Sequence, residues 1–128
     1  MADSINARFG GRDVTFKIER VDLPVFEGHF GSAFALFQKL STGVWTTEDV
    51  RRVLTFAATP TAAHAMARHC LAHGLSGFGP RPYHAHVDET LQRNAPGTYA
   101  ALASLVLAAA LFGVSDDEAT FTDENVEE

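Results

Sequence analysis

Near its end the chain runs TYAALASLVLAAALFG, residues 98–113, with apolar residues on every side of the helix that this composition favours. Leu102, Leu105, Val106, Ala109 and Phe112 form one stripe, while Leu107 and Leu111 occupy the opposite side. A helix without a polar face has to run through a core or lie beneath another chain. It is too short to span a bilayer, which takes roughly 20 apolar residues, so no membrane partner is expected. The remaining elements must therefore supply its cover.

The first of these is a hairpin over residues 5–18. In INARFGGRDVTFKI, Ile5, Ala7 and Phe9 alternate on one run and Val14, Phe16 and Ile18 on the other, with Gly10-Gly11 between them. Two glycines supply the positive φ angles of a two-residue turn, which pairs Ala7 with Val14 and Ile5 with Phe16. All apolar side chains then share one face; a three-residue loop would split them between faces. A lone hairpin is marginal in water, so that face is expected to rest on helices.

Helical spacing follows. Leu23, Phe26, Phe30, Ala33, Phe37, Leu40 and Val44 recur three and four apart, flanked by Phe34 and Leu36, with Asp22 as the expected N-cap and a bend or close packing expected near Gly31. Thr46-Thr47-Glu48-Asp49 resembles a capping box and opens a helix whose buried side is Val50, Val53, Leu54 and Ala57. Thr59-Pro60 opens another, ending before Gly74, with Ala63, Met66, Ala67 and Cys70 expected inward. The Gly/Pro-rich stretch 76–82 breaks the pattern, and helix resumes over 83–94.

The fold class is thus α+β, mostly α: an N-terminal β-hairpin and four to five helices in a single domain, residues 1–114. An acidic tail, residues 115–128, is expected to be disordered. That tail holds seven of the sixteen acidic residues and no Lys or Arg, so most of the net charge of −6 belongs to it. The body is nearly neutral and has no basic stripe to neutralise phosphates, which argues against a nucleic-acid partner. A helix-turn-helix reading of residues 47–74 meets the same objection, because Glu48 and Asp49 sit at its start. One cysteine cannot form an internal disulfide, and a cytoplasmic location is expected.

Five of the six histidines lie between residues 64 and 86. His69 and His73 are i, i+4 on one helix face, and His84-x-His86 follows, so these four are the candidate metal ligands. Against them stand the absence of an HExxH pattern and of a fixed spacing across the Gly/Pro stretch. Cys70 is also turned about 100° from His69 on a helix. His73, in the last helical turn, has a local role as a cation at the negative end of the helix dipole. No serine lies in a nucleophile elbow, Gly10-Gly11 and the glycines at 77 and 79 match no phosphate loop, and Asp88-Glu89 diverge on a helix. No enzyme, no catalytic residue and no cofactor are expected.

In order along the chain, INARFGGRDVTFKI, LPVFEGHFG with Phe26-Glu27 and Gly31, ALFQKLSTGVWTTEDVRRVL, the HGL at 73–75 and the closing ALASLVLAAALFG resemble the tail assembly chaperones of phages and of phage-derived gene transfer agents. The resemblance covers residues 5–113. The GFGPRPYHAH stretch and the length of the acidic tail depart from the family pattern. The resemblance implies a non-enzymatic factor that coats the tape measure protein and assists recruitment of the tail tube protein, with homo-oligomerisation left open. Phe26, Phe30, Phe34, Phe37 and Phe121 are the candidate partner-binding residues, with the Ala-rich last helix as the alternative place for the groove, and Phe121 because it is an isolated apolar residue in an acidic run. The rival reading is a histidine-rich metal-binding protein, with hydrolase chemistry as one version of it.

Overall fold

The structure is a computed structural model that describes residues 1–75 and 82–123. Two strands, β1 (Ser4–Phe9) and β2 (Arg12–Lys17), pair antiparallel with Ala7 opposite Val14 and Ile5 opposite Phe16, the register that the alternation and the Gly10-Gly11 turn predict. Both glycines have positive φ, and Gly10 is required twice over. Its φ is +57°, and a Cβ there would run into the Thr90 hydroxyl and the His86 ring. Ile5, Phe9 and Phe16 are fully buried, and Phe9 meets Phe16 edge-on with ring centroids 5.3 Å apart.

The long periodic segment after the hairpin is two helices, α1 (Leu23–Phe30) and α2 (Ala33–Thr42). Gly31, at φ +86°, makes the break. Ser32 then caps α2 by accepting the Ala35 N–H at 3.1 Å, and Glu27 accepts the Ala33 N–H at 2.9 Å. Splitting this segment gives six α-helices among the described residues. The inward stripe shifts as well: Leu36 is buried and Val44 is exposed, because the turn at Gly31 resets the helical phase. Asp22 stands at the N-cap position of α1 but its side chain makes no cap bond. The carboxylate instead accepts the Thr61 hydroxyl at 2.7 Å and pairs with Arg68, tying the start of α1 to a helix 46 positions away.

Helix α3 (Thr47–Ala58) begins with the expected capping box: Thr46 Oγ1 accepts the Asp49 N–H at 3.2 Å, and Asp49 Oδ2 accepts the Thr46 N–H at 2.9 Å. Val50, Val53, Leu54 and Ala57 are buried as predicted, together with Phe56. Asp49 is itself buried, and Lys39 reaches it from α2 at 2.9 Å. Burial alone would raise the Asp49 carboxyl's pKa; the Lys39 ammonium and the Thr46 N–H outweigh that and hold it below the usual range.

Pro60 precedes a 3₁₀ turn, Thr61–His64, and only then does α4 (Ala65–Ala72) begin. The expected inward set for this helix is wrong except for Ala67. Ala63 is exposed, Cys70 is half-buried and Met66 is 69% exposed. The reason is the Asp22–Arg68 pair: once Arg68 turns inward, His64, Ala67 and Arg68 make the inner stripe and Met66 lies about 200° round from Arg68. The break expected over 76–82 lies outside the described residues except at Pro82.

Helices α5 (Ala85–Arg93) and α6 (Gly97–Phe112) complete the body. The apolar α6 is central: it packs on α2, α3, β1 and β2, burying Tyr99, Leu102, Ala103, Val106 and Leu107. Among the described residues no helix is long and apolar enough to cross a membrane.

The segment after α6 corrects the expectation of a tail without structure from residue 115. Val114 forms a bridge with Ala2, Asp116–Glu118 makes a 3₁₀ turn, and β3 (Thr120–Thr122) adds to β1 in parallel, giving the sheet order β2-β1-β3. Ala7 stands opposite Phe121. The fold is therefore α+β and mostly α, with ordered structure continuing to Asp123, beyond the boundary set at 114. Residues 124–128 lie outside the described residues.

Candidate partner-binding surface

The five candidate phenylalanines do not share a face. Phe26 is fully buried, its ring 5.2 Å from Phe56 and 5.1 Å from Phe30, so it is a core residue and not a contact for a partner. Phe30 is half-buried, with the Arg52 guanidinium 5.8 Å above its ring. Phe121 is no free hook either: it sits in β3, half-buried, with its ring 6.4 Å from Tyr99. The expectation that it hangs in a solvated tail fails because β1 has an edge for this strand to pair with.

Phe34 and Phe37 behave differently. They leave α2 toward the end of α6, where Phe112 meets them at 6.2 and 5.6 Å, both nearly edge-on. Phe34 is 47% exposed and Phe112 57%, so the three rings form an aromatic ridge open to solvent across the α2–α6 seam. The ridge continues along α6. Leu105 and Ala108 are half-buried, and Ala101, Leu105, Ala108 and Phe112 follow one another at four, three and four residues, a helical stripe left over from the side that α3 and the sheet cover. At the far end Ser41 and Ser104 close the seam with a hydroxyl contact of 3.2 Å. Isolated exposed apolar residues are ordinary, but clustered aromatic rings that leave much of their area in water mark a surface suited to a partner. Aromatic side chains, Phe among them, are enriched at protein interfaces relative to the rest of the surface.

Phe112 is not among the five candidate residues, although it lies on the Ala-rich last helix that is the alternative place for the groove. Its signal was present in the last helix, whose apolar residues exceed what one buried face can take; which of them stays outside depends on the packing of α2.

The histidines separate into structural roles. His64, outside the candidate four, is buried and stacks flat on Phe56, centroids 4.1 Å apart and planes 14° from parallel. Burial pushes its pKa down, Asp22 pulling the other way and Arg68 adding to the depression. Nε2 of His86 donates to the Phe9 carbonyl at 2.8 Å, since a carbonyl can only accept, so that nitrogen carries a proton. His84 Nδ1 accepts the Val87 N–H at 3.4 Å and caps α5. Its pKa is lowered by burial first, then by His86 and Arg12. His69 and His73 do come together on exposed positions, rings 4.5 Å apart, at the end of α4. Two ligands fall short of the three or four that a zinc site uses. Among the described residues no three His, Cys, Asp or Glu side chains gather in a metal-binding group, so the four candidates do not converge.

A cleft of about 770 Å³ lies between the hairpin turn, α5 and the start of α6. Its walls include His86, Glu89, Arg93, Thr98, Tyr99 and Asp123. Asp123 reaches into it from the C-terminal segment: one carboxylate oxygen accepts the Tyr99 hydroxyl at 2.7 Å and the Gly10 N–H at 2.9 Å. In this cleft Tyr99 and Asp123 hold each other, and His86 is bound to the backbone.

Compared with protein-family models, curated proteins and solved structures, the chain matches none.

Proposed function

We propose that this chain is a non-enzymatic assembly factor of the phage and gene transfer agent tail chaperone type. In this reading it binds the tape measure protein, keeps that long helical chain soluble and assists the tail tube protein in assembling around it. The observation that carries the reading is the solvent-open ridge of Phe34, Phe37 and Phe112, extended along α6 by Leu105 and Ala108. A helical client with an apolar stripe finds here the complementary feature, a ridge flanked by the shallow seam between two helices. The layout resemblance adds the identity of the client. The nearly neutral body suits such contacts, because neither sign of charge has to be desolvated over a wide field.

The test is co-expression of the tape measure protein with the wild-type chain or with the Phe34→Ser/Phe112→Ser variant. The expected outcome is a rise in soluble tape measure protein and co-purification with the wild-type chain, and loss of both with the variant while its melting temperature stays close to wild type. Equal rescue by the two chains would move the binding surface elsewhere; no rescue by either would end the reading.

A further inference from the structure

The C-terminal segment sits on the body in the way a bound peptide does. It lies extended along the free edge of β1: Asn6 N–H donates to the Ala119 carbonyl at 2.9 Å, and Asp123 N–H donates to the Arg8 carbonyl at 3.1 Å. Between these two bonds Thr120 and Thr122 are exposed and Phe121 turns its ring toward Tyr99. Two residues on, the Asp123 carboxylate is held by the Tyr99 hydroxyl and the Gly10 N–H. Each element of peptide recognition is present: main-chain pairing to a sheet edge, a seat for one aromatic side chain, and a pair of donors for one carboxylate.

The receiving groups belong to the rigid body and not to the segment. Tyr99 is buried in α6, packed 5.0 Å from Phe9, and Gly10 is fixed by its close approach to Thr90 and His86. The cleft beside Asp123 is also lined by Glu89, Arg93 and Thr98. By contrast the segment's own hold on the sheet is short, three residues of parallel pairing.

We propose that this groove is a recognition site for an extended segment of a partner protein that carries an aromatic residue and, two positions later, a carboxylate. Residues 120–123 fill it in cis as an internal ligand. A tethered ligand competes at the high effective concentration of a short connection, so the groove opens to a partner only in the fraction of molecules whose own segment has lifted. Removing the charge-assisted bonds of Asp123 raises that fraction, and with it the apparent affinity for a ligand in trans, by about tenfold or more.

The probe is a labelled synthetic peptide of this chain's residues 115–128, titrated against the full chain and against the full chain carrying Phe121→Ser and Asp123→Ala. The receiving groups of the body, the Tyr99 hydroxyl and the Gly10 N–H, are intact in that variant. The peptide is expected to bind the variant at least tenfold more tightly than wild type and to move the amide resonances of Gly10 and Gly11. A peptide carrying the same two changes is expected to bind neither. Equal affinity for the two chains, or equal binding of the altered peptide, would overturn the proposal. Should circular dichroism show the double variant unfolded, Asp123→Asn in the full chain is expected to give a smaller gain of the same sign, and no gain overturns it. Concentration-dependent self-association of the wild-type chain, reversed by the peptide, would place the occupant in a second copy and overturn the assignment to a different partner.

Discussion

Two aromatic trios each include one ring from α6, and they have opposite exposure. At the start of the helix Phe9, Phe16 and Tyr99 meet edge-on at 5.0 and 5.3 Å with essentially no contact with water. At its end Phe34, Phe37 and Phe112 meet at 5.6 to 6.3 Å, and two of the rings are about half exposed. Ring–ring contact alone therefore says little about what a cluster does. The first trio is roofed by the sheet and α5 and pays for the fold. The second leaves Phe34 47% and Phe112 57% exposed, so about half of the burial of those two rings is still to be gained on association.

The comparison can be broken most directly from the buried side. Phe9→Ala removes a ring that touches Phe16, Tyr99 and His86 and should cost about 3–5 kcal/mol, read as a lowered denaturant midpoint. A cost below about 1 kcal/mol would mean that the first trio is no more structural than the second. Arg68→Ala should come next, at about 1–3 kcal/mol. It strands the Asp22 carboxylate, which is 1% exposed, although Arg68's own partial exposure lets water soften the loss. Thr46→Ala, which opens the capping box of α3, should cost about 1 kcal/mol in the same measurement and calibrates what a local motif contributes away from either trio.

A pH titration sharpens the contrast at a third ring stack, His64 on Phe56. The His64 pKa is lowered in the fold, so the unfolded chain binds more protons below its ordinary value of 6.5. Stability from this group is complete above about pH 6.5 and declines as pH falls toward the folded pKa. His84 is shifted in the same direction and adds to the decline. Melting temperature should thus drop from pH 7 to pH 5.5, and His64→Gln should flatten the slope; an unchanged slope would assign the drop to His84. The smallest effect belongs to the exposed trio. Phe112→Ser should alter stability by no more than about 0.5 kcal/mol while removing partner binding. A large loss of stability would make the ridge part of the core and dissolve the distinction.

Legibility in the sequence followed how local the deciding interactions are. The hairpin register was readable because period-two alternation and two adjacent glycines fix it within fourteen consecutive residues, 5–18. The Thr46 capping box was readable for the same reason, since its partners are three residues apart. Helix α4 was not: its apolar residues suggest one inward face, and a buried ion pair to Asp22 selects another. The third strand was not, because Thr120-Phe121-Thr122 is too short for its alternation to stand out beside an acidic run, and it forms a strand by pairing with β1. The candidate surface was half readable. Phe34 and Phe37 were picked out, but Phe26 went inside and Phe112 joined from a helix that is apolar all round. On such a helix, which side remains uncovered is decided by its neighbours.

The Asp123–Gly10 bond joins positions 113 apart, whereas the two strands of the hairpin meet across a two-residue turn. Closing the larger loop costs far more chain entropy and waits on nearly all of the sequence. A ribosome releases the N-terminal strand long before the residue that seals its outer margin, so every newly made molecule passes through an interval with that margin bare. Whatever meets the nascent chain during that interval meets the β1 edge before residues 120–122 do.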